Sequence, residues 1–191
     1  MTTQELEQKT DEPVLLRLDL GGGKNPRLGF TNVDCIAFDG VDVVADLKQP
    51  WPWEDDSVDE IHTSHFIEHF SGLERVHIMN EAYRVMKVGA KMTIICPHWA
   101  SCRAYGDPTH AWPPVSEFWF FYLDKNWRTV QAPHTDAEFW DQGFKCNFHQ
   151  SFGYNLKGEL AVKDDNYKQF ACENYKEAIA DFNATLTKVP L

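Results

Sequence analysis

The sequence predicts an α/β fold: a mostly parallel sheet flanked by helices, with an antiparallel hairpin at its C-terminal edge. Three observations predict it. Through about the first hundred residues, short apolar runs alternate with loops and one strongly helical pattern, the order that builds parallel sheets. Three successive runs end on an acid, at Asp19, Asp34 and Asp46. Near the other end, "KCNFHQSFGYN" and "GELAVKD" read as two strands that turn at Lys157-Gly158.

The elements follow in chain order. Val14 to Leu20 is a buried strand that delivers three glycines, Gly21, Gly22 and Gly23, to a turn. Gly29 to Cys35 and Val41 to Ala45 are two further short strands. Pro50 and Pro52 mark a loop before a strand at Val58 to Thr63. Ser71 and Glu74 have capping-box spacing and open a helix. Val76, Met79, Ala82, Tyr83 and Met86 give that helix one apolar face, and Gly89 is placed to end it. Lys91 to Cys96 is a strand closed by Pro97. From His98 to Trp140 the chain is crowded with aromatic rings, prolines and histidines, including "FWFFY" from Phe118 to Tyr122, which reads as core or a small lid. A final helix is expected over about Tyr167 to Leu186.

A chain of 191 residues fits one domain with a real core. Residues 1–12 are polar and read as a disordered tail, leaving 13–191 as a single domain. The net charge of -11, from 18 basic and 29 acidic residues, makes nucleic acid a poor partner. No apolar run approaches the ~20 residues that span a bilayer. The five cysteines are scattered and no CxxC occurs, so reduced thiols and a cytoplasmic setting are expected.

A strand that feeds glycines into a turn lets a ligand approach the backbone, and an acid ending the next strand suits a ribose diol. The plain alternative is a glycine turn without a ligand. In order, "LDLGGG", "NVD", "VVADL", "SVDEIHTSHFIEHF" and "RVMKVGAKMTIICP" resemble class I S-adenosylmethionine-dependent methyltransferases over about residues 14 to 97. That resemblance implies a Rossmann-like sheet and S-adenosyl-L-methionine as cofactor. It implies that Asp19, Gly21, Gly22 and Gly23 shape the loop around the cofactor's amino-acid portion. Asp34 would bind the ribose, Asp46 and Leu47 the adenine, and Ser64 and His65 would lie near the sulfonium. The sequence departs from the family in its first crossover: nine residues separate Gly23 from Val33, too few for the usual helix.

For the acceptor side, His98 follows the fifth strand, and "YGDPTHAW" supplies Asp107 and His110. A histidine and an aspartate there would orient an acceptor or take its proton; the alternative is that they cap loops. A small molecule is the expected acceptor, a protein side chain the second choice and nucleic acid the last. The competing function is a protein that binds the cofactor or docks a partner without catalysis. "HFIEH" has the spacing of an inverted zinc-peptidase helix, with His65 and His69 four apart. Ser71 starts the helix only after this segment, so zinc hydrolysis is set aside. Cys96 and Cys102 show no compact ligand spacing with the histidines, and no metal is expected.

Overall fold

The computed structural model describes residues 14–133, 137 and 143–191. The expected N-terminal tail lies outside them. Seven strands form one sheet: β1 (Arg17–Leu20), β2 (Thr31–Asp34), β3 (Val43–Val44), β4 (Val58–Ser64), β5 (Met86–Pro97), β6 (Phe148–Leu156) and β7 (Ile179–Lys188). Their order is β3-β2-β1-β4-β5-β7-β6. The first five run parallel; β7 pairs antiparallel with both β5 and β6. The α-helices among the described residues are α1 (Gly72–Val85), α2 (Arg103–Gly106), α3 (Glu117–Phe121), α4 (Lys125–Val130) and α5 (Asp165–Asn174). The expected Rossmann-like sheet, mostly parallel with an antiparallel C-terminal edge, is therefore the observed fold.

The central strands are apolar because both faces are covered. Leu18, Leu20, Val33, Ile61 and Ile94 are fully buried, packed with Ile78, Met79 and Ala82 of α1. The first strand is shorter than expected: Val14 is 99% exposed, and pairing with β4 begins only at Arg17. Between β1 and β2 the chain crosses in turns without a helix, as nine residues require.

The capping box at the start of α1 is present: the Ser71 N–H donates to Glu74 at 2.8 Å, and the Glu74 N–H donates to the Ser71 hydroxyl. The far end differs from expectation. The helix stops at Val85, Met86 turns extended and pairs with Val58, and Gly89 sits at φ 84° inside a bulged start of β5. Burial of Met86 in the sheet outweighs its fit to the helical pattern.

The C-terminal hairpin is also rearranged. "GELAVKD" is a 3₁₀ turn at Gly158–Val162 rather than a strand. The expected final helix splits: α5 ends at Asn174, Glu177 takes φ 68°, and β7 follows. "IADFNATLTK" largely alternates buried with more exposed residues, the period of a strand, and Phe182, Ala184 and Leu186 are fully buried between β5 and β6. Tertiary pairing thus overrides the helical reading there.

Candidate functional site

Parallel sheets bind ligands beyond the carboxyl ends of their strands, and there the structure opens a cavity of about 610 Å³. One wall comes from the end of β1 and the residues after β2: Gly21, Asp34, Cys35, Ile36 and Phe38. Ala45, Asp46, Leu47 and Lys48 follow β3, and His65, Phe66, His69 and Phe70 follow β4.

The glycine turn is held from below. Asp19 is buried; one carboxylate oxygen pairs with His62 Nδ1 at 2.7 Å and the other accepts the Arg27 N–H at 2.7 Å. The Asn32 amide donates to the carbonyls of Gly23 and Gly40 at 2.9 and 2.8 Å. A side chain at Gly22 would stand 2.4 Å from Asn32 Oδ1 and 2.7 Å from Asp19 Oδ2. At Gly21, which has φ 71°, it would stand 2.4 Å from the Phe66 ring. Close packing requires glycine at both positions, and at Gly21 backbone conformation requires it as well.

Asp34 and Asp46 stand at neighbouring strand ends. Asp34 Oδ1 accepts the Ile36 N–H at 2.9 Å and Asp46 Oδ1 the Lys48 N–H at 3.1 Å. Each bond orients a carboxylate of a residue that lines the cavity. Burial, then the neighbouring Asp34 charge, pushes the Cys35 thiol up. The cavity's rings are Phe38, Phe66 and Phe70, the last two edge to face at 4.7 Å.

His65 has φ 54° at the bend after β4, and a 3₁₀ turn at Ile67–His69 follows. His65 Nδ1 lies 3.1 Å from Glu68 Oε1, and that hydrogen bond raises the imidazole above its usual range. Buried Arg75 of α1 donates to four carbonyls, those of Ile67, Glu68, Ala111 and Pro113, and so clamps the bend to the 111–113 segment.

The expected site residues divide. Gly21, Asp34, Asp46, Leu47 and His65 line the cavity. Asp19, Gly22 and Gly23 shape the turn behind it, and Ser64 ends β4 without lining it. The expected acceptor trio does not converge. His98 is buried among Phe182, Trp99 and Tyr154; its Nδ1 accepts the Ala100 N–H, so Nε2 donates to Glu117 at 2.9 Å. Both ring nitrogens are thereby engaged, and neither contacts Asp107 or His110. Asp107 accepts from the Thr109 N–H and hydroxyl, which hold it below the usual carboxylate range. His110 Nε2 is 4.0 Å from Asp107, and its ring meets His69 at 4.9 Å. The "FWFFY" rings form a cluster with Trp127, Phe152 and Phe182 and do not line the cavity.

Sequence reasoning missed Phe38, Phe66, Phe70 and Lys48 as lining residues. Isolated aromatics in loops carry no periodic signal. The bend expected between β4 and α1 is present, and it carries Glu68 and His69.

No protein-family model and no curated protein matches the chain. Solved structures share its fold. A SAM-dependent methyltransferase from Archaeoglobus fulgidus superposes with a TM-score of 0.60 at 18% identity, over 92% of this chain and 86% of that one. The YcgJ protein from Bacillus subtilis gives 0.52 at 14%, covering 93% and 94%. Geranyl diphosphate C-methyltransferase from Streptomyces coelicolor, solved with Mg²⁺, geranyl diphosphate and S-adenosyl-L-homocysteine, gives 0.50 at 15%, covering 93% and 73%.

Proposed function

We propose that the chain is a methyltransferase that binds S-adenosylmethionine in the 610 Å³ cavity and serves a small-molecule acceptor. The observation that carries this is the cavity's frame: a glycine turn after β1 faces two strand-end carboxylates, Asp34 and Asp46. The volume falls within the ~300–1,000 Å³ typical of cofactor sites. Gly21 admits close backbone approach for the amino-acid portion. Asp34 accepts from the ribose hydroxyls. Asp46 and Leu47 flank the adenine, and His65 lies toward the sulfonium.

When bound, the cofactor supplies an electrophilic methyl group on a cationic sulfur, taken in line by an acceptor lone pair. The chain's part is alignment and exclusion of water. Phe66 and Phe70 offer ring faces to a cation. His65, oriented by Glu68, stands at the acceptor end with its Nε2 near Arg103.

The test is calorimetry with S-adenosylhomocysteine, followed by turnover on a panel of small acceptors. Ligand at ~100 times its dissociation constant should stabilise the fold by about 2.7 kcal/mol. An unchanged melting curve at millimolar ligand defeats the reading. The helix-free first crossover favours a second one, cofactor binding without catalysis; tight binding with no turnover on any acceptor would support it.

A further inference from the structure

We propose that Glu68, His69 and His110 bind a divalent transition-metal ion of the zinc class in the wall of the cavity. Each of the three offers a ligand atom, and these atoms lie within 4.8 Å of one another. Glu68 is only 4% exposed. Its Oε1 pairs with His65, whereas Oε2 is buried with no hydrogen-bond partner among the described residues. His110 Nδ1 is likewise buried and unpartnered. A buried carboxylate oxygen and a buried imidazole nitrogen, both unsatisfied and in one cluster, call for a shared partner. A cation supplies it.

The surroundings prepare the third ligand. The Thr109 hydroxyl donates to Asp107 at 2.7 Å, so its oxygen accepts from His69 Nδ1 at 3.1 Å. That places the His69 proton on Nδ1 and leaves the Nε2 lone pair for a metal. Carboxylate-to-histidine relays of this kind orient metal ligands and fix their tautomer. The frame is rigid: the Ala111 N–H donates to the Glu68 carbonyl at 2.9 Å, and the Arg75 clamp joins the same two segments. Ordinary Zn–N and Zn–O bonds of about 2.0–2.2 Å need a small inward movement of the side chains.

Two imidazoles and one carboxylate favour zinc, cobalt, nickel or iron over magnesium and calcium, which prefer all-oxygen shells. Three protein ligands leave a coordination position open, and His69 lines the cavity. In the methyl-transfer reading that position would hold an acceptor oxygen or nitrogen. This role rests on that reading; metal binding does not. The ligands escaped the spacing argument because His110 lies far along the chain from Glu68 and His69 and reaches them only through the fold.

The experiment uses the full chain, stripped with chelator and titrated with Zn²⁺ by calorimetry and with Co²⁺ by visible absorption. The expected result is one equivalent of zinc and a cobalt spectrum of low coordination number. His69→Ala, His110→Ala and Glu68→Gln should each weaken zinc binding at least 100-fold. Thr109→Val, at an exposed position, should weaken it by about 10–100-fold through His69 orientation. His149→Ala, at an exposed position on β6, should leave it unchanged. Circular dichroism establishes that each variant is folded; for one that is not, the Thr109→Val and parent cobalt spectra decide. Sub-stoichiometric zinc in the parent, or parent-like affinity in folded His69→Ala and His110→Ala, overturns the proposal. S-adenosylhomocysteine is titrated into the same samples. Its binding without zinc binding removes the metal alone, and zinc binding without it removes the methyl-transfer reading alone.

Discussion

Replacing Gly22 with alanine tests how the glycine turn is built. The residue has no positive φ, so the substitution brings no backbone strain. Its cost is steric. The new Cβ would lie 2.4 Å from Asn32 Oδ1 and 2.7 Å from Asp19 Oδ2. Ordinary contact requires these atoms to retreat by about 1 Å. Neither is at liberty to do so. Asp19 is held by His62 and by the Arg27 N–H, and Asn32 by the carbonyls of Gly23 and Gly40. Displacing one buried polar group from its partners costs about 1–3 kcal/mol, and overpacking a similar amount. A total of about 2–3 kcal/mol is expected after partial relaxation, which for a chain of this size lowers the melting temperature by roughly 4–12 °C. The control is Gly106→Ala, where a Cβ meets nothing within 4 Å and φ is not positive; it should match the parent or exceed it slightly. Thermal unfolding by circular dichroism reads both, and S-adenosylhomocysteine calorimetry on the Gly22 variant should show weakened binding. A Gly22→Ala protein that melts within about 2 °C of the parent would refute the picture of Asp19 and Asn32 as fixed walls.

Asp34→Ala should weaken S-adenosylhomocysteine binding by about 1.5–3 kcal/mol per strong bond lost, roughly 10- to 150-fold, with little change in melting; undiminished affinity removes the ribose assignment. Arg75→Met strips four backbone carbonyls of their buried donor and should cost at least about 3 kcal/mol in urea unfolding; a loss below about 1 kcal/mol would mean that the clamp is dispensable. His98→Ala should lower melting temperature while leaving cofactor affinity intact, since the ring is committed to Glu117, Ala100 and the aromatic cluster; a variant of parental stability but lost turnover restores it to the acceptor site. Burial pushes the Glu117 carboxyl up, yet the hydrogen bond from His98 and those from its own backbone and Trp99 more than offset this and hold it at about 2, below its ordinary 4.5. Its stabilising contribution is therefore complete above about pH 4.5 and disappears as the pH falls through about 2. Glu117→Gln should flatten the loss of stability across that window in acid titrations; an unchanged slope would show that the pairing contributes nothing.

What the sequence determined by itself was the set of features that rest on neighbouring residues. The glycine turn after an apolar run, the acids at successive strand ends and the Ser71–Glu74 capping box all depend on local chemistry, and each stands where expected. The class of sheet followed from the alternation of these pieces. Only the tertiary structure decided the rest. Tyr167 to Leu186 became a helix and then a strand because β5 and β6 leave a place between them, and the burial of Phe182, Ala184 and Leu186 there outweighs local helical preference. His98 stands apart from Asp107 and His110, its two nitrogens engaged by Ala100 and Glu117. His110 gained His69 and Glu68 as neighbours because Arg75 draws together carbonyls that lie far apart in the chain. Contacts between distant residues are set by packing and by the satisfaction of buried polar groups, and neither is written in the spacing of residues along the chain.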